Sequence, residues 1–246
     1  MCLRKRLFVL SVVSPLSFVS HAALAMSVTP MVVELQSAGG NKASQLLVEN
    51  DGAKDIQVEI RVSKIDVDES GALTAAPAQA DFQIFPVQRI IKPHSSQVFR
   101  IQWAAGPLQK SQSYEVQVNQ LPVKVPESAT GVQVLFHWGV VVNVAPVNGH
   151  SALDVVASGI ATGEKKKRLP FVVVSNPGNA HARLQDSSMT LKSAYWSQTL
   201  TSADLQRLLG IGLVQPGKRR RFLIPIDVPE NVSQLSVEVV YDKATR

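Results

Sequence analysis

The 246 residues carry 25 Lys and Arg against 19 Asp and Glu, a net charge of +6 of which half sits in Arg4, Lys5 and Arg6; what remains is no footprint for nucleic acid. The single cysteine, Cys2, excludes an internal disulfide framework and a cysteine-built zinc site. Abundant valine with only 6% aromatic residues points to β-structure.

The opening MCLRKRLFVLSVVSPLSFVSHAALA has a basic start, an apolar stretch from Leu7 to Val19 and the small-x-small triplet Ala23-Leu24-Ala25. It reads as a secretory signal peptide over residues 1–25, with cleavage expected after Ala25. The apolar stretch falls short of the ~20 residues of a spanning helix, so no stable membrane insertion is expected. Cys2 leaves with this segment, and the stability of the remainder must rest on burial.

From Ser27 onward, short strands alternate with turn signals. SVTPMVVEL is expected to be an edge or kinked strand because Pro30 cannot donate to a ladder. SAGGN is a turn, ASQLLVEN a strand, and Asn50-Asp51-Gly52 the next turn. DIQVEIRVSKIDVD alternates over its whole length, with Ile56, Val58, Ile60 and Val62 on one face. FQIFPVQRIIKP, QVFRIQW and YEVQVNQLPVKV continue the series, and GVQVLFHWGVVVNVAP closes it. In that last segment every even position from Val132 to Val144 is Val, Phe or Trp, over a length far beyond the roughly 5–6 residues of a common strand. A run of roughly seven strands with almost no helical period is the pattern of a β-sandwich.

VNGH (147–150) is a polar connector. Beyond it ALDVVASG, LPFVVVSNPGN, HARLQDSSM, GLVQPGKRRRFLIPID and QLSVEVVYD are expected strands. SADLQRLLG reads as one short helix with Ser202 as N-cap, Leu205, Leu208 and Leu209 on one face, and Gly210 as its stop. The chain is therefore all-β, with two sandwich domains expected over residues 26–146 and 147–246.

Chemistry-bearing motifs are scarce. His94, His137, His150 and His181 never stand at metal-ligand spacing, and neither a nucleophile elbow nor a phosphate loop occurs. Gly210-Ile211-Gly212 lacks the third glycine of a dinucleotide fingerprint and is read as a helix cap. Asp66, Asp68 and Glu69 before Gly71 do not match a calcium loop and are read as a solvated hairpin turn. The basic runs Lys165-Lys166-Lys167-Arg168 and Arg219-Arg220-Arg221 are read as solvated turns or strand edges. His137 is read as a surface group. No enzyme, no metal, no cofactor and no nucleic-acid partner is expected.

FPVQRIIKPHSSQVFRIQW resembles the P-x-x-R … P … Q-x-x-R stretch of the PapD-like periplasmic pilus chaperones. YEVQVNQLPVKVPESATGVQVLFHWGVVVNVAP is similar to their two strands flanking a long loop, FVVVSNPGNAHARL to their strand-N-P-strand, and GLVQPGKRRRFLIP to a later turn and strand. The resemblance covers essentially everything after residue 25. It implies two immunoglobulin-like sandwich domains set at an angle with a cleft between them. It also implies a chaperone that stabilises pilus or fimbrial subunits by lending them a strand, donor-strand complementation, and passes them to an outer-membrane usher. The rival expectation is a structural or adhesive surface protein of immunoglobulin-like domains.

Aligned through Pro146, the donated side chains would be Val132, Val134 and Phe136. At about 1.5–3 kcal/mol each, three such side chains contribute on the order of 5–9 kcal/mol before ordering costs. Val140 to Val144 are assigned to the protein's own core. The family's two basic, carboxylate-clamping positions fall on Met31 and Val141, which cannot serve, and the chain is read as a member of the divergent archaic, spore-coat-U-linked branch. Arg89, Arg100 and Lys124 are the candidate replacement anchors, since a guanidinium suits a bidentate carboxylate contact. Exposed apolar edges invite association, so self-association of the free form is a further expectation.

Overall fold

The computed structural model describes residues 26–122, 134–163 and 167–241; the signal-peptide segment, Lys124, Val132, Lys165 and Lys166 lie outside the described residues. The first ten strands are β1 (Met26–Thr29), β2 (Val32–Gln36), β3 (Ala43–Asn50), β4 (Ile56–Val67), β5 (Leu73–Pro77), β6 (Phe82–Phe85), β7 (Gln88–Ile91), β8 (Ser95–Trp103), β9 (Gln112–Leu121) and β10 (His137–Ala145). They form two facing sheets, β1-β3-β8-β6 and β2-β10-β9-β4-β5, with β7 also pairing β4. The expected strand around Pro30 is two strands, β1 and β2, one in each sheet. Pro86 divides FQIFPVQRIIKP in the same way, with β6 in one sheet and β7 in the other. Proline supplies no ladder donor, so each break is where the chain can change sheets.

Alternation on β4 puts Ile56, Val58, Ile60 and Val62 into the core, together with Val116 and Val118 of β9 and Val140, Val142 and Val144 of β10. Phe82, Trp103 and Tyr114 meet edge to face there, with Phe82 5.3 Å from Trp103 and 5.0 Å from Tyr114.

The second half contains β11 (Asp154–Thr162), β12 (Arg168–Ser175), β13 (Ala182–Arg183), β14 (Ser187–Lys192), β15 (Ser197–Leu200), α1 (Ser202–Leu209), β16 (Leu213–Val214), β17 (Arg219–Leu223) and β18 (Ser236–Tyr241). Sheets β11-β12-β17 and β15-β14-β18 enclose a second core of Val172, Val174, Met189, Leu191 and Phe222, with β13 and β16 as a small pair. Helix α1 lays Leu205 into this core and ends at Gly210, whose φ is +66°. Its N-cap is Thr201, not Ser202: the Thr201 hydroxyl accepts from the Asp204 N–H, and the Asp204 carboxylate accepts from the Thr201 N–H. That reciprocal box needs an acid three residues after the cap, which Thr201 has.

Two contact zones join the sandwiches, and one brings the two charged runs together. Asp66, Asp68 and Glu69 are exposed on the β4–β5 hairpin turn and Arg219 to Arg221 lie on the edge strand β17, as expected, yet the two meet between the sandwiches. Lys218 Nζ lies 2.5 Å from Asp66 Oδ1, the Arg221 N–H donates to the Glu69 carbonyl at 2.7 Å, and Arg219 approaches Glu69 at 4.0 Å. Gln215 clasps the end of β4, accepting from the Val67 N–H and donating to the Ile65 carbonyl, both at 2.9 Å. Ile65, Val67, Ile211 and Leu213 form a small apolar patch beside it. The arginines are engaged too: Arg220 donates to the Leu213 carbonyl at 2.7 Å and covers Phe222, while Arg221 covers Phe171. Gly71, at φ +92°, admits the Arg220 guanidinium 3.3 Å from where a Cβ would stand. In the other basic run, Arg168 ties down the 229–232 loop through the carbonyls of Pro229, Glu230 and Val232.

The second zone is polar and buried. Glu34 of β2 meets His181 Nε2 at 2.7 Å and Arg183 Nη1 at 3.3 Å, and accepts from Asn143 Nδ2 at 3.2 Å. Ser111 accepts from the His181 N–H at 2.6 Å. Burial pushes the Glu34 carboxyl up, but the His181 hydrogen bond and charge, with help from Arg183 and Asn143, hold it below the usual carboxylate range.

Candidate functional site

The long apolar segment is used in two ways along its length. β10 pairs β9 throughout, from His137 opposite Asn119 to Val144 opposite Gln112. On its other side β2 runs parallel to it only from Val141 to Ala145, and the last bond is Val141 N–H to the Met31 carbonyl at 3.0 Å. The Gln120 N–H donates to the Phe136 carbonyl, so Phe136, Trp138 and Val140 direct their backbone toward β9. Antiparallel alternation therefore turns the N–H and C=O groups of His137 and Gly139 to the opposite side. Among the described residues no backbone meets them there. The sheet thus has half an edge: closed by β2 beyond Val141 and open before it.

The side chains on the core-directed face grade along the same strand. Val140, Val142 and Val144 are fully buried, Trp138 and Phe136 are half-buried against the first core, and Val134 is 64% exposed. Of the three donated residues expected from sequence, Val132 lies outside the described residues, Val134 stands free in solvent and Phe136 touches its own sandwich. Trp138 belongs to the core side of the boundary, with its indole N–H buried and without an acceptor among the described residues.

Met31 and Val141, the positions matched to a basic clamp, are brought side by side where β2 stops. Met31 is exposed. The replacement candidates are not gathered around them. Arg100 is on β8, in the sheet that lacks β10, with its guanidinium on Gln102 at 3.1 Å. Arg89 is on β7, in the sheet of β10 but three strand spacings away through β9 and β4, roughly 14 Å at the usual spacing. Lys124 lies outside the described residues.

Sequence reasoning missed the polar outer face beside the open edge. Val141 stands opposite Glu115, Gly139 opposite Gln117 and His137 opposite Asn119, with Arg61 of β4 beyond Gln117. Gln117 Nε2 donates to Glu115 Oε2 at 2.8 Å, Arg61 pairs with Glu59 at 2.8 Å, and His137 Nδ1 lies 3.0 Å from Asn119 Oδ1. The Glu115 carboxylate leans over β10 at the one residue without a side chain: a Cβ on Gly139 would stand 2.4 Å from Glu115 Oε1. Alternating polar residues in YEVQVNQ were the available signal, but they say nothing of where Glu115 leans.

No group of His, Cys, Asp or Glu among the described residues has the geometry to hold a metal ion. None of the described helices is long and apolar enough to cross a membrane. No family model matches the chain, and no curated protein matches it. Solved structures do match. The chain is similar to the class 5 fimbriae chaperone CfaA, at 13% identity and a TM-score of 0.54, over 87% of this chain and 98% of that one. It is similar to the SafA pilin–SafB chaperone structure of Salmonella enterica at 12% identity and a TM-score of 0.53, over 90% and 98%. It is also similar to the CsuC–CsuE chaperone–tip adhesion subunit complex of the archaic Csu pili of Acinetobacter baumannii, at 16% identity and a TM-score of 0.52, over 84% and 93%. These likenesses define the class of fold. The chain is an all-β, two-sandwich protein with the fold of the PapD-like fimbrial chaperones.

Proposed function

We propose that this protein is a periplasmic chaperone of pilus assembly that binds subunits by donor-strand complementation and hands them to an outer-membrane usher. The observation that carries the reading is the half-open edge of β10. Backbone groups of His137 and Gly139 that have no partner among the described residues lie beside an apolar face that leaves the core at Phe136 and is exposed by Val134. A subunit lacking a strand supplies the missing ladder partners, and its groove takes alternate side chains. Val132, Val134 and Phe136 are the proposed donated residues. The mechanism needs no catalysis and no cofactor: strand pairing holds the subunit and strand exchange releases it. The apolar Met31–Val141 pair favours the archaic branch. Of the candidate carboxylate anchors Arg89, Arg100 and Lys124, Arg89 has the stronger claim among those described, because it shares the sheet of β10.

Co-expression with a candidate pilin-like subunit tests the reading. Val134→Asp should abolish recovery of soluble subunit, whereas Val98→Asp, an exposed change on the other sheet, should leave it intact. Equal recovery with both variants sinks the donated-strand assignment.

A further inference from the structure

An added strand at the open edge of β10 would run past Gly139, one strand spacing from it. Its residue opposite Gly139 would place a Cβ on the same outer face, roughly 5 Å away. Glu115 Oε1 stands over Gly139 itself, 2.4 Å from where a Cβ on that glycine would be, and so beside the added residue's side chain, while Glu115 Oε2 is taken by Gln117 Nε2 at 2.8 Å. Among the described residues no cation pairs with Glu115. Arg61, in the next row of the sheet, is committed to Glu59. The site therefore offers one carboxylate oxygen of a half-buried glutamate, held by an amide and lying over the glycine that borders the vacant strand position. We infer that Glu115 selects, in the strand that pairs with β10, a lysine or arginine at the position facing Gly139. The inference rests on the reading of β10 as a strand-pairing edge and names the charge that this edge prefers.

Gly139 matters because any side chain there would displace the Glu115 carboxylate. Gly139 has no left-handed φ, and the atom it would strike is the far end of a flexible side chain. Gly139→Ala should therefore fold while moving the carboxylate aside.

The test uses fluorescent peptides of alternating apolar and neutral polar residues, identical except for a central Lys or Gln, and anisotropy titrations of the full chain. The Lys peptide should bind about fivefold more tightly than the Gln peptide, as a partly exposed ion pair allows, and 1 M salt should erase most of that ratio. Both Glu115→Gln and Gly139→Ala should bring the ratio to about one. Equal binding of the two peptides to the unaltered protein overturns the charge preference and leaves the edge reading standing. A preference that survives Glu115→Gln overturns it as well. Binding of neither peptide overturns both.

Discussion

Two asparagines do at residue scale what turn composition alone only hints at. Asn50 accepts from the Gly52 N–H and donates to the carbonyls of Lys54, Ile91 and Lys92. Asn176 accepts from the Gly178 and Ala152 N–H groups and donates to the carbonyls of Ala180 and Val214. Each satisfies buried main-chain groups of chain segments distant in sequence, which is why N-D-G and N-P-G recur at the matching turns of the two sandwiches. The second turn has no slack. A Cβ on Gly178 would stand 2.1 Å from the His150 carbonyl oxygen, a backbone atom that cannot swing away. Gly178→Ala should lower the denaturant midpoint of the second sandwich severely, whereas Gly40→Ala, with open space around it, should leave stability within about 0.5 kcal/mol. Equal midpoints would contradict the close packing of this turn.

At the scale of elements, legibility followed the apolar alternation. β4 and the valines of β10 read clearly because one face is buried against a facing sheet. β5 was missed, since all five of its residues are exposed and it is held by backbone pairing to β4 alone. The four-residue β15 is too short for any period, whereas the two-residue β13 and β16 fall inside the expected strands HARLQDSSM and GLVQPGKRRRFLIPID. The division of the β10 segment was legible in part. Of the valines expected in the core after Gly139, Val140, Val142 and Val144 are buried there, whereas Val141 alternates onto the outer face opposite Glu115. That Phe136 also leans on its own core depends on where β2 stops, which only the pairing of Met31 with Val141 decides. The carboxylate over Gly139 was illegible for the same reason: it depends on the register between β9 and β10.

At the scale of the whole molecule, two separated charge runs proved to be partners. The acidic turn after β4 and the basic run at β17 are 148 or more residues apart in the contacts that Gln215 and Lys218 make with β4, so neither predicts the other from sequence. The Glu34–His181–Arg183 cluster is the second clasp, and it predicts an acid response. The Glu34 carboxyl is held below its ordinary value in the folded protein, so its contribution is present above the unfolded value of about 4.3 and is lost as pH falls through the lower folded one. Thermal midpoints of the wild type should exceed those of Glu34→Gln at pH 7, and the gap should narrow progressively as pH falls below about 4. A gap unchanged by pH would contradict the pairing.

The central claim is that the open half-edge of β10 is where another chain's strand pairs. Amide hydrogen exchange at His137 and Gly139, in the free protein and in complex with a captured subunit, measures it directly. Both amides should exchange fast when free and become protected on binding, while Val142, already inside the sheet, stays protected throughout. Capture of a subunit with no change at His137 and Gly139 would contradict the account.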